Sequence, residues 1–124
     1  MVDDSDSAEF YRAEMRHSRR QRRCEECTRW IYPGEIYETA TMKHDGRIFR
    51  HMTCQHCIAV RGWLTAVCGG FLHGGVDEDL ADHVGAGLNP RWLAHAVSGM
   101  QRRWRLKDGS LQRPMSLPKH MPTP

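Results

Sequence analysis

The sequence predicts a small α+β domain: two cysteine knuckles, a β-hairpin and a following helix form a stapled core, with further helices on its N- and C-terminal sides. Three observations lead there. Four of the five cysteines fall into two Cys-x2-Cys pairs, Cys24/Cys27 and Cys54/Cys57. The segment between the pairs alternates like a strand, turns at Asp45-Gly46 and alternates again. The chain is also lean, with 124 residues, 40% of them hydrophobic, and a mean hydropathy of −0.66. A core that small draws part of its stability from a disulfide or a metal.

The elements follow in order. Asp6-x-x-Glu9 has the spacing of a capping box, and no Gly or Pro interrupts Ser7 to Arg22, which predicts a first helix. On that helix Arg12, Arg16, Arg19, Arg20 and Arg23 would share one basic face. Pro33-Gly34 marks a turn, Ile36 to Met42 reads as a strand, and Arg47 to Met52 as its hairpin partner. Gln55 to Val67 is apolar enough for a buried helix, stopped by Gly69-Gly70. A short acidic helix over Asp77 to Val84 ends at Gly85, and Asn89-Pro90 supplies a cap and a first-turn proline for a last helix. Leu93, Ala96 or Val97, Met100 and Trp104 form its apolar stripe. Asp108-Gly109 marks a small turn, and the prolines beyond it predict an extended, unstructured tail. The chain thus divides into a basic helix over 1–23, a cysteine-bearing core over 24–68, a helical extension over 69–111 and a Pro-rich tail over 112–124.

A two-residue spacer turns both sulfurs of a Cys-x2-Cys pair to one side of a tight knuckle, and two such pairs complete a closed tetrahedral site for one structural Zn²⁺. The 26 residues between the pairs are accounted for by a hairpin that runs out and returns. Cys54 and Cys57 open a helix, whose N–H groups and dipole favour thiolates. His51-x2-Cys54 has ligand spacing too, so three cysteines with His51 form an alternative set. His56, between two ligands, reads as exposed. Cys68 lies about 16 Å along the helix from Cys57 at ~1.5 Å per residue, too far to share the ion, and reads as a buried free thiol. Four thiolates and one Zn²⁺ sum to −2, which lowers the formal net charge of +3 to about +1. Arg22, Arg23 and Arg29 stand where they could neutralise that centre.

The order knuckle, hairpin, knuckle, helix resembles the treble-clef zinc finger. The segments W-I-Y-P-G-E-I-Y from Trp30 and D-G-R-I-F-R-H-M-T-C-Q-H-C from Asp45 are similar to small four-cysteine zinc proteins encoded by tailed bacteriophages, over roughly residues 24–84. Treble clefs as a class bind nucleic acid, bind proteins or, in one branch, cleave DNA. The nuclease branch is prompted here by His44-Asp45 and His51. However, its Asp-His at the end of the first strand and its later Asn and His are missing, since Cys57 is followed by I-A-V-R-G-W-L. Four cysteines would also close the coordination that hydrolysis needs open.

Charge is striped along the chain. Residues 12–23 hold six arginines and one acid, Asp77 to His83 holds four acids, and Arg91 to Arg113 holds six bases and one acid. The expected function is a non-enzymatic zinc-stabilised interaction protein, phage or mobile-element encoded, that binds and modulates a host protein such as a defence nuclease. The acids Asp77, Glu78, Asp79 and Asp82 offer one partner surface, although a solvated helix face explains that patch more simply, and the arginines named next offer another. The alternative is a nucleic-acid binder acting through Arg12, Arg16, Arg19, Arg20 and Arg23 with Arg102, Arg103 and Arg105, where Trp30 or Tyr32 could stack on bases. Aromatics this close to a knuckle are more often core. No run of ~18 apolar residues exists, and the acidic start is unlike a secretory signal, so the expected location is the cytoplasm of a bacterial host, with no membrane contact.

Overall fold

The structure, a computed structural model, describes residues 10–121. It is a mixed α+β fold with two small antiparallel sheets and three helices. The strands are β1 (Phe10–His17), β2 (Arg22–Arg23), β3 (Trp30–Ile31), β4 (Ile36–His44) and β5 (Arg47–Cys54). The helices are α1 (Gln55–Cys68), α2 (Val76–His83) and α3 (Pro90–Gln101).

The hairpin forms as the sequence predicts, with Tyr37 opposite Cys54 and His44 opposite Arg47. Asp45 and Gly46 both adopt positive φ, 52° and 75°, the conformation that a two-residue turn needs to match the twist of its strands. The first segment differs from expectation. Residues 10–17 are not helical but form β1, which pairs antiparallel with β4 along its whole length, Phe10 opposite Lys43 and His17 opposite Ile36. The reason is tertiary. An unpartnered β4 edge offers eight residues of ladder, while Phe10, Arg12, Glu14 and Arg16 alternate with Tyr11, Ala13 and Met15 as well as they fit a helix. The capping box at Asp6 and Glu9 lies outside the described residues. With the helix gone, so is its basic face: Arg12 and Arg16 flank Glu14 on the sheet, Arg19 and Arg20 occupy the following turn, and Arg23 lies in β2.

β2 and β3 pair around the first knuckle, with Arg22 opposite Ile31, and α1 starts directly after β5, so that Cys54 is its N-cap residue and Gly69 its left-handed C-cap. One buried cluster holds the four paired cysteines together with Ile31, Tyr37, Val60, Trp63, Leu64, Val76, Leu80, Leu93, Ala96, Met100 and Trp104. The Asn89 side chain does not cap α3. It accepts from Trp63 Nε1 at 2.8 Å and donates to the His120 carbonyl at 2.9 Å.

That second bond belongs to a larger correction, because the Pro-rich tail docks on its own domain. Trp92 Nε1 donates to the Ser116 carbonyl at 2.7 Å, Met115 and Met121 pack on the core, and Leu117 lies against Gly62. Pro122 and Pro124 lie outside the described residues. Trp104 is buried as its place on the stripe predicts, but not on a helix. The helix stops at Gln101, Arg103 and Trp104 take positive φ of 56° and 60°, and the chain folds the indole back over Gly99. A Cβ at position 99 would overlap the Trp104 ring, so this reversal requires glycine.

Candidate metal centre and basic groove

The sulfurs of Cys24, Cys27, Cys54 and Cys57 come together in a buried group that can hold a metal ion, all within 4.8 Å of one another. Cys24 Sγ to Cys57 Sγ is 3.9 Å and Cys27 Sγ to Cys54 Sγ is 3.8 Å. These separations are far too long for disulfides, and all four are free cysteines. A tetrahedral ion with ~2.3 Å bonds to sulfur sets its ligands about 3.8 Å apart. The Cys24–Cys57 and Cys27–Cys54 separations match that value, and the donor set fits such an ion. Hydrogen bonds from Cys24, Cys27 and Cys57 hold Cys54 far below the ordinary thiol range, and the bond Cys57 makes to Cys24 pushes Cys57 well above it.

The surroundings suit thiolates. The backbone N–H groups of Glu26 and Cys54 point at Cys24 Sγ from 3.4 and 3.3 Å, and Trp104 Nε1 donates to Cys57 Sγ at 3.5 Å. Such outer contacts orient ligands and offset their charge. Arg29 is 2% exposed and grips Glu35 through both nitrogens, at 3.2 and 2.8 Å. Burial opposes its charge, but Glu35 and the negative Cys54 outweigh burial and leave the guanidinium more basic than usual. Of the three arginines expected to balance the centre, Arg29 is the one on which Cys54 acts, and its guanidinium is paired with Glu35. Arg22 lies over Tyr37, and Arg23 stacks 4.0 Å from the Trp30 ring centroid.

The histidine and cysteine expectations change. His51 does not join the sulfurs: its Nε2 is 2.8 Å from Glu26 Oε2, in a separate group with His73. It projects from the sheet face opposite to that of Cys54, since three residues along a strand reverse the side-chain direction. His56 is buried, not exposed, between Arg29, Trp104 and the Gln112 carbonyl of the docked tail. Sequence reading missed it because a tail read as unstructured covers nothing. Cys68 is exposed rather than buried, with its sulfur 3.0 Å from His83 Nε2. His44 pairs with the adjacent Asp45 in the hairpin turn.

A basic groove of about 540 Å³ runs beside the knuckle, lined by Arg23, Arg29, Trp30, Tyr32, Arg103, Arg105 and Gly109. Trp30 and Tyr32 are 39% and 42% exposed, so these aromatics are not core. Past Trp30 lies a second depression bordered by Arg20, Arg22, Arg23 and Arg50, with Glu25 as its acid. Arg103 Nε donates to Thr28 Oγ1 at 3.0 Å, which ties the turn after α3 to the knuckle. Arg12 and Arg16 lie outside this surface, engaged with Glu14, and Arg102 bonds Gln112. Asp77, Glu78 and Asp79 form the first turn of α2, where acids suit the helix dipole, and Asp82 is exposed on its last turn. No described helix is long and apolar enough to cross a membrane.

Comparison with protein-family models, with curated proteins and with solved structures gives no match.

Proposed function

We propose that the chain is a non-enzymatic nucleic-acid-binding module whose treble-clef-like core is held by one structural Zn²⁺ on Cys24, Cys27, Cys54 and Cys57. When bound, the ion supplies cross-linking of the two knuckles and no open coordination position. The observation that carries the binding reading is the groove in which Arg23, from β2, and Arg103 and Arg105, from the turn after α3, surround exposed Trp30 and Tyr32. Interleaved arginines and accessible rings suit single strands, because guanidinium groups track phosphates and every base has a face to stack.

A salt series of gel shifts with a labelled single strand tests this. Binding should weaken steeply with salt; Arg103→Ala should lower the salt slope by about 1, whereas Trp30→Ala should cost about 1–3 kcal/mol with little change in slope. No binding at about 50 mM salt would remove the reading.

The second reading, a protein partner such as a host factor, is favoured by a different surface. Phe10, Tyr11, Ile48 and Phe49 are all exposed at the far end of the sheet. A pull-down from bacterial lysate with and without nuclease separates the two: nuclease-resistant capture that Phe49→Ser abolishes supports the protein partner.

A further inference from the structure

Glu26, His51 and His73 come from three different parts of the chain and place one ligand atom each within 4.8 Å of the others. Glu26 lies in the first knuckle, His51 on β5, and His73 in the loop between α1 and α2. The Glu26 side chain is fully buried and that of His51 is 12% exposed. Gly74 N–H donates to Glu26 Oε2 at 2.7 Å, and Val76 N–H to Oε1 at 3.3 Å, which fixes the carboxylate. His51 lies in register with Ala40, and Ala40 with Ala13, so two small side chains make room beside His51 where Tyr11 reaches His73.

What distinguishes this group from an ordinary ion pair is the far side of each imidazole. His73 Nε2 is 3.2 Å from the Tyr11 hydroxyl, while its Nδ1 is buried with no hydrogen-bond partner. His51 presents Nε2 to Glu26 and Nδ1 toward Glu25 Oε1, 3.9 Å away. Metal-bound histidines are held as His73 is here, with one nitrogen free for the ion and the other on a carboxylate or another polar group. A buried ring nitrogen with nothing to bond is otherwise costly.

We propose that Glu26, His51 and His73 form a second metal site, separate from the four cysteines, that takes one divalent transition-metal ion of the Zn²⁺ and Co²⁺ class. Two imidazoles and a carboxylate suit such ions and leave at least one position open. The ion would join the first knuckle, the hairpin and the loop before α2. Tyr11 acts as a positioning residue for the His73 ring.

Co²⁺ added to the zinc-loaded protein tests the site. One further equivalent should bind, with weak visible bands and none of the intense near-ultraviolet sulfur-to-cobalt absorption that a cysteine site gives. His73→Ala and Glu26→Gln should each abolish that equivalent while retaining the zinc on the cysteines and the near-ultraviolet circular dichroism of the folded chain. Tyr11→Phe should weaken it about 10-fold or more, as loss of an outer partner does. The proposal is overturned if no second equivalent binds, if the added cobalt shows sulfur absorption, or if His73→Ala with the fold retained binds cobalt as tightly as the parent.

Discussion

At one end of the three-stranded sheet Tyr37, Thr39, Ala40, Thr53 and Cys54 are buried, while at the other Phe10, Tyr11, Ile48 and Phe49 stand exposed. The same ladder joins both ends, from Tyr37 opposite Cys54 to His44 opposite Arg47, and the far end is the richer in large apolar side chains. Backbone pairing therefore does not decide where the core lies. The buried end is where α1 begins, where the two knuckles meet and where Trp104 folds in. At the exposed end Tyr11 touches His73 of the loop before α2, while Phe10, Ile48 and Phe49 remain largely in solvent. In a chain this lean, burial is concentrated around the sulfur group and falls away along the hairpin.

Perturbing the two ends should produce effects of very different size. Cys54→Ser opens the sulfur group and should abolish cooperative unfolding altogether, since a structural zinc site contributes on the order of 10 kcal/mol; thermal melts of parent and variant in zinc-containing buffer check this. Trp104→Ala empties the space between Gly99 and Cys57 and removes the indole donor, for a loss of about 3–5 kcal/mol in denaturant titrations. Glu35→Gln leaves the buried Arg29 without its carboxylate and should cost about 3 kcal/mol at neutral pH.

The last effect carries a pH signature. Burial raises the Glu35 pKa, but the Arg29 hydrogen bond and charge more than offset this and leave it below the ordinary carboxyl range. A lowered folded-state pKa means stability that is fully present above the unfolded value and is lost as pH falls toward the folded one. The gap between parent and Glu35→Gln should thus be constant near neutrality and close in acid, read from melts across pH. At the far end, Ile48→Ser should change stability by no more than about 0.5 kcal/mol, because its side chain is already in solvent.

The same contrast explains what the sequence made legible. Cys-x2-Cys spacing, the Asp45-Gly46 turn and the Gly69 stop are local signals, and the sulfur group, the hairpin and α1 follow from them. Residues 10–17 carry a pattern that suits strand and helix alike, and only the free edge of β4 decides between them. His56 and the docked tail could be read only together, since the Gln112 carbonyl gives the ring its buried partner. His51 was recognisable as a ligand type, but its companions Glu26 and His73 are 25 and 22 residues away, with no motif linking them. Trp104 fitted an apolar stripe, although the structure reaches the same burial through a strained reversal after α3 that no periodicity encodes.

The most direct measurement is far-ultraviolet circular dichroism and tryptophan fluorescence while a strong chelator strips the purified protein, followed by stoichiometric zinc return. The account predicts that buried Trp63 and Trp104 become solvated and that β and α signals collapse together, then recover when zinc is restored. A chain that keeps its spectrum and its melting transition after elemental analysis finds no metal on it would contradict the claim that the four sulfurs organise the fold through a bound ion.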